Sequence, residues 1–217
     1  MRWLRVKEPV NAWSHLLTAA AAVVGLIYLV ARYSEQTAGK LSSLIIYGAS
    51  LIVLFLASGL YHAIRTTPKK ELWLRKFDHI SIFLLIAGTY TPVFAYGLHG
   101  AWQVTMLSVV WGLAGLGMVL KLFFMHIPRW ISTLIYVALG WIAVVPFVKL
   151  FQTLPTGAIL FMFLGGIAYT IGAVIFGTKK LDFFPGKFGF HEVWHMFVSA
   201  GGVLHFVMVA FFIAAMQ

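Results

Sequence analysis

The sequence predicts an all-α integral membrane protein, a bundle of seven transmembrane helices, and two observations support this fold class. Of the 217 residues, 61% are apolar and 10% are charged, whereas soluble domains typically carry about 25% charged residues. Seven separate stretches are each apolar over about 20 residues, the length that a helix needs to cross a bilayer. Because so apolar a chain cannot cover a water-exposed surface with polar side chains, a soluble globular protein is excluded.

The seven predicted spans follow one another with short polar or basic connections. They cover roughly residues 13–32, 41–64, 77–98, 101–123, 129–150, 157–177 and 190–215, judged by the length of apolar chain required. The connections leave no room for a soluble domain, so residues 1–217 are predicted to form a single seven-helix transmembrane domain. The first span is too long for the apolar part of a secretory signal peptide, and we expect it to be retained.

The distribution of basic residues predicts the orientation of the bundle. Of the sixteen Lys and Arg residues, all but Arg32, Lys40 and Lys149 lie in the N-terminal segment or in the second, fourth and sixth connections. Since Lys and Arg concentrate in cytoplasmic loops, the N-terminus is predicted to be cytoplasmic and the C-terminus outside. The net charge of +10 is explained in the same way and requires no nucleic-acid partner.

Two prolines fall inside predicted spans, Pro92 in the third and Pro146 in the fifth. Proline lacks a backbone N–H and its ring clashes with the preceding helical turn. We therefore expect kinks at both positions, tolerated where neighbouring helices satisfy the freed carbonyl group.

Few ionisable residues fall within the predicted spans, and such residues mark function by default because they are costly in a bilayer. Ser58 and His62 lie one turn apart late in the second span, and Asp78 falls in the first turn of the third. His191 and His195 occupy the first two turns of the seventh. At about 1.5 Å per residue, all lie within roughly 10 Å of the predicted cytoplasmic ends. Their shared depth predicts one common site.

The three histidines of this group form a candidate zinc site. His191 and His195 are four residues apart and therefore face the same side of a helix, and His62 adds a third imidazole. Three protein ligands and one open position are the usual form of a catalytic zinc site, and the chain has no cysteine to supply a thiolate. We predict Zn²⁺ at these residues, with Asp78 nearby. The alternative is that each residue caps a helix end and meets headgroup water.

Four other histidines are not predicted to bind the metal. His99 and His126 fall in connections between spans, and His79 is the residue after Asp78. His205 is predicted to be hydrogen-bonded inside the bundle, because it lies about 15 Å beyond His195 along the helix.

Residues 191–195 also spell H-E-x-x-H, the signature of zinc metalloproteases in which the glutamate is the general base. The extended motif requires glycine at position 198 and histidine at position 201, where this chain has Val198 and Gly201. No acidic residue follows Glu192 that could serve as a third ligand. Glu192 also projects about 100° away from the histidine face. We therefore predict that the chain is not such a protease and that Glu192 is not the catalytic base.

As a set, these motifs resemble those of the hemolysin III family, bacterial members of the progestin and adiponectin receptor superfamily. The resemblance rests on NAWSHL, SGLYHAI, KFDHISIFLLIAGTYTP and HEVWHMFVSAGGVLHF and covers essentially the whole chain. It implies a multi-pass protein of the bacterial inner (plasma) membrane and a zinc ion held by His62, His191 and His195. It also implies that Asp78 interacts with the metal through water and that Ser58 lies beside the site.

The resemblance further implies lipid chemistry, since the superfamily is linked to membrane amide hydrolases that include alkaline ceramidases. The first hypothesis is zinc-dependent hydrolysis of a membrane lipid amide or ester, with Asp78 as base and Ser58 as orienting hydroxyl. The alternatives are a non-enzymatic, zinc-stabilised membrane sensor or regulator and a cytolytic, pore-forming protein. The pore is least favoured because few polar residues are expected to face inward from spans four to six. An open metal position beside an acyl-chain-shaped cavity would separate the enzyme from the sensor.

Overall fold

The computed structural model describes residues 6–184 and 188–216, which fold into a helical bundle. The α-helices are α1 (Pro9–Tyr33), α2 (Ala38–Ala63), α3 (Pro68–Gly97), α4 (Gly100–Phe123), α5 (Arg129–Gly140), α6 (Phe147–Thr153), α7 (Thr156–Thr178) and α8 (Phe190–Val207). A 3-10 turn, Ile142–Val144, follows α5, and a π-helix, Met208–Ile213, continues α8. Residues 1–5, 185–187 and 217 of the predicted domain lie outside the described part. The predicted all-helical fold class is confirmed.

Six helices are long and apolar enough to cross a membrane, namely α1, α2, α3, α4, α7 and α8 with its continuation. A seventh span results if Arg129–Val144 and Phe147–Thr153 are counted together as one segment bent by 54°. Pro146 lies at this break, so the bend predicted there is confirmed. Pro92 lies inside α3, which continues as one helix to Gly97.

The predicted start of the third helix is wrong, because α3 begins at Pro68 rather than near residue 77. Proline is favoured at the first helical position, where its missing N–H leaves no hydrogen bond unmade. The added turns carry charged residues that are too polar to count as a membrane span, yet most of them are good helix formers. Asp78 therefore lies about three turns from the start of α3, not in its first turn.

The helices pack mainly on their sequence neighbours, α1 on α2, α2 on α3, α3 on α4 and α7 on α8, while α8 also contacts α1. Close approach depends on small residues, since a Cβ at Gly117 of α4 would lie only 2.3 Å from the Phe83 ring of α3. The start of α1, the end of α2 and the start of α8 meet, because Glu8 bonds the His62 backbone and Asn11 bonds Glu192. We call this region, together with the first turns of α3, the histidine end.

Candidate metal centre

The three histidines predicted as ligands come together at the histidine end. His62 lies in the last turn of α2, and His191 and His195 lie in the first two turns of α8. One ligand nitrogen from each lies within 4.8 Å of the others. The ring centroids are 5.0 Å apart for His62 and His191, 4.6 Å for His62 and His195, and 4.9 Å for the two residues of α8. These three histidines could therefore hold a metal ion.

The chemistry of the group fits a transition metal. His62 and His195 are 1% and 2% exposed, and the Nδ1 atom of His195 is buried with no hydrogen-bond partner. Buried polar atoms in native proteins nearly always have a partner, and a metal would supply one. Three imidazoles suit zinc, as well as copper, iron and nickel.

Glu8 supports His62 from behind, which the sequence pattern did not indicate. The Nδ1 atom of His62 lies 2.6 Å from Oε2 of Glu8, and the backbone N–H of Glu8 donates to the His62 carbonyl at 2.9 Å. The hydrogen bond from His62 holds the pKa of the Glu8 carboxyl at about 2, so this group is ionised at neutral pH. Metal-binding histidines usually donate their other ring N–H to such an acceptor. The contact leaves Nε2 of His62 for a metal.

Asn11 and Glu192 continue this network into α8. The Nδ2 atom of Asn11 donates to Glu8 at 3.1 Å and to Oε1 of Glu192 at 3.0 Å. The other oxygen of Glu192 accepts the backbone N–H of Gly189 at 2.8 Å. Glu192 therefore caps the start of α8 and links that helix to α1, which is a structural role for the glutamate of H-E-x-x-H.

His15 of α1 is a fourth histidine beside the group, from the NAWSHL motif. Its ring stacks on that of His195 with centroids 3.9 Å apart, and its Nε2 lies 3.3 Å from the His195 carbonyl oxygen. His15 is 3% exposed, and the edge of its ring contacts Phe55. It therefore holds the His195 ring in place from the side of α1.

Asp78 and Ser58, predicted as catalytic residues, line the same cavity as the three histidines. Ser58 is buried, and it lies in the last two turns of α2, one turn before His62. Within the described residues, Asp78 does not belong to the group whose ligand atoms lie within 4.8 Å of one another. Its position beside the histidines, rather than among them, suits a group that acts on a water or substrate.

The cavity has a volume of about 450 Å³ and extends from the histidine end deep into the bundle. Asp78 and Val93 both line it, and they are separated by about 22 Å along α3 at 1.5 Å per residue. The deep part is largely apolar, with Phe147 and Met208 among its lining residues. The cavity is therefore long, and its lining is mainly apolar away from the histidine end.

The expectation that few polar residues face inward from spans four to six is wrong. The cavity is lined by polar side chains of α4, α5 and α7, namely Lys121, Ser132, Tyr136, Tyr169 and Thr170. Each helix carries only a few such residues, so they have little effect on the average hydropathy of a span.

Two histidines that were not predicted to bind the metal also line the cavity. His79 contacts the Tyr136 hydroxyl at 3.1 Å, and His205, as predicted, is hydrogen-bonded inside the bundle, to Met162 at 3.2 Å.

We expect Glu8→Gln to weaken zinc binding by about 10- to 100-fold, the usual effect of losing a carboxylate behind a histidine ligand. The affinity is measured by competition with a coloured chelator in detergent. Glu71→Gln is the matched control, because Glu71 at the same end of the bundle pairs with Lys7 rather than with a histidine. Equal affinities in the wild type and the Glu8 variant would contradict this role.

Comparison with known proteins agrees with the family resemblance that the motifs carry. A family model described as "Haemolysin-III related" matches residues 3–206. The chain is 36% identical to "Hemolysin-3" of Bacillus cereus over 210 residues, covering 96% of this chain and 93% of that protein. It is also 36% identical to the "Hemolysin-3 homolog" of Bacillus subtilis (strain 168) over 211 residues, 95% of each chain. The "Adiponectin receptor protein" of Drosophila melanogaster is 26% identical over 219 residues, 92% of this chain and 49% of that protein. The chain therefore belongs to the hemolysin III family, a family of multi-pass membrane proteins related to adiponectin receptors.

Proposed function

We propose that this protein is a zinc-dependent hydrolase of a lipid amide or ester bond, acting at the cytoplasmic side of the bacterial plasma membrane. One observation carries the proposal: three histidines border a cavity that is polar at the histidine end and apolar beyond it. Structural zinc sites are usually closed by four protein ligands, whereas catalytic sites keep a position open. Three histidines beside a lipid-sized space correspond to the catalytic form.

In this proposal His62, His191 and His195 hold the Zn²⁺. Zinc in such a site supplies Lewis acidity toward the substrate carbonyl and toward a water molecule. Glu8 and His15 keep the ligand rings in position through the contacts described above. The apolar part of the cavity takes the acyl chain, which fixes the carbonyl at the histidine end and excludes bulk water from it.

Asp78 and Ser58 complete the proposed chemistry. The water oxygen attacks the acyl carbon, and Asp78 accepts a proton from this water as general base. The carbon–nitrogen or carbon–oxygen bond then breaks, and Asp78 returns the proton to the leaving amine or alcohol. Ser58 is buried and lines the same cavity as Asp78, and in this proposal it orients the carboxylate. The products are a fatty acid and an amine or alcohol.

A zinc-stabilised sensor without turnover is the second candidate. The observation that favours it is the network of Glu8, Asn11 and Glu192, which joins α1, α2 and α8 around the histidines. A metal at this junction would hold the bundle in one arrangement whether or not a substrate reacts. The two candidates differ in whether lipid is consumed.

The test is release of fatty acid from a mixed pool of ceramides, other N-acyl amides, acylglycerols and acyl lysophospholipids, followed by mass spectrometry. Zinc-loaded protein in detergent should release fatty acid, zinc-stripped protein should not, and added zinc should restore the release. His62→Ala protein, purified in the same way, controls for contaminating lipases. Equal release by this variant, or no release from any lipid by zinc-loaded protein, would rule out the hydrolase and leave the sensor.

A further inference from the structure

We propose that Lys121, with Arg75 and Arg129, forms a subsite of the cavity that binds the phosphate headgroup of a single-chain lipid. The proposal rests on the proposed function of the cavity as a lipid site and narrows its ligand to lipids that carry a phosphate ester. We call these three residues the basic subsite.

Lys121 lies in the last turn of α4 and is 2% exposed. The sequence pattern placed it among the loop cations, but its side chain points into the bundle and lines the cavity. Its ammonium group donates a hydrogen bond to the Ser132 hydroxyl of α5. A hydroxyl oxygen carries no charge to balance a buried ammonium, and a buried cation without a counter-ion is costly.

The acidic residues of the chain do not provide this counter-ion. All six lie in the described residues, and no ion pair within 4.0 Å joins any of them to Lys121. Three have other partners at the histidine end, namely Glu8, Glu71 and Glu192. Asp78 lines the same cavity as Lys121 but makes no ion pair with it. Glu35 and Asp182 are exposed. Among the described residues, no carboxylate pairs directly with Lys121, and an anionic ligand would supply the missing charge.

Arg75 and Arg129 face the same part of the cavity as Lys121. All three line it, and Lys121 lies in the last turn of α4 while Arg129 is the first residue of α5. The Arg129 guanidinium lies 4.8 Å from the centroid of the Phe176 ring, which fixes it between α5 and α7. A cavity wall lined by one sign of charge concentrates ions of the opposite sign.

The number and kind of these cations favour a phosphate over a carboxylate. A phosphate ester has several oxygens and can carry two negative charges, and arginine binds phosphate through two parallel hydrogen bonds. The basic subsite also adjoins the metal centre, because the Phe176 ring that contacts Arg129 lies 5.5 Å from the His191 ring. A lipid could therefore place its headgroup at Lys121, its acyl carbonyl at the histidines and its chain in the apolar part.

The test compares lipids that share one chain and differ in headgroup. Ether-linked lysophosphatidic acid, ether-linked monoalkylglycerol and oleate are titrated into the full-length protein in a non-ionic detergent, and quenching of tryptophan fluorescence reports binding at Trp141 and Trp194 of the cavity. The phosphate lipid should bind at least about 10-fold more tightly than the neutral lipid, the effect of a hydrogen bond to a charged group. Ether lipids resist hydrolysis, so this result does not depend on turnover.

Lys121→Met should abolish this preference and leave binding of the neutral lipid within about two-fold, since methionine keeps the length of the side chain without its charge. Lys149→Met is the matched control, because Lys149 lies outside the cavity, above the Trp102 ring. If the Lys121 variant does not fold, Arg129→Gln replaces it in the test, and this variant is expected to reduce the preference for the phosphate lipid in part. The proposal would be overturned if the wild type binds the phosphate lipid and the neutral lipid equally, or if it binds oleate more tightly than the phosphate lipid. It would also be overturned if Lys121→Met still binds the phosphate lipid more tightly than the neutral one.

Discussion

Removing the metal is expected to destabilise the protein by several kcal/mol and to lower its thermal midpoint in detergent. Metal binding by a site that exists only in the folded chain contributes directly to the free energy of folding. The ligands come from α2 and α8, and these helices pack mainly on other partners, α2 on α1 and α3, and α8 on α7 and α1. A zinc ion would join them directly, whereas buried imidazoles without it leave at least one nitrogen unpaired.

The measurement follows thermal unfolding before and after chelation, with zinc content determined by plasma emission. Adding zinc back should restore the midpoint. The double variant His191→Ala, His195→Ala should contain no zinc and should not respond to the chelator. His126→Ala, which changes a histidine of the connection between α4 and α5, should behave as the wild type. Zinc content unchanged in the double variant would contradict the ligand assignment, and an unchanged midpoint after verified metal removal would contradict the stabilisation.

Asp78→Asn is expected to reduce lipid hydrolysis by at least about 100-fold, the lower end of what a general base contributes, while most of the zinc stays bound. Glu192→Gln should retain most of the activity. Asp78 lines the cavity, and Glu192 does not. Both oxygens of Glu192 accept hydrogen bonds, from Gly189 and Asn11, so its carboxylate serves the start of α8.

The two variants form a matched pair, because each replaces a carboxylate by an amide of the same size. Rates of fatty-acid release are divided by zinc content, so that a loss of metal is not mistaken for a loss of the base. If Glu192→Gln abolishes hydrolysis and Asp78→Asn retains it, the protease-like interpretation of H-E-x-x-H is correct and the roles assigned here are wrong.

The sequence predicted the histidine group because two signals coincided. The spacing of His191 and His195 is a property of the helix alone, and the shared depth of His62 follows from where each span begins and ends. Glu8 could not be found in this way. It precedes the first span, and its contact with His62 depends on how the chain enters α1 beside the end of α2. No periodicity encodes such a contact between distant segments.

Lys121 and Asp78 show a second limit of prediction from hydropathy. A window average places the start of a span where charge ends, so Asp78 appeared to lie at a helix start, whereas helix propensity continues through charged residues and α3 begins at Pro68. The predicted fourth span included Lys121, which was nevertheless counted with the cations of the following connection. The side-chain direction of a cation near a helix end depends on the neighbouring helices, which the sequence of a single span does not contain.

The positions of the three histidines also set an order of events during biosynthesis. His62 leaves the ribosome early, whereas His191 and His195 belong to α8, which follows the other helices that the structure describes. A nascent chain that has inserted α1 to α7 offers one imidazole of the group, fewer than the three of the proposed zinc site. With the proposed ligands, metallation follows the insertion of α8. Zinc supply would then act on an assembled bundle and would not guide the earlier helices into the membrane.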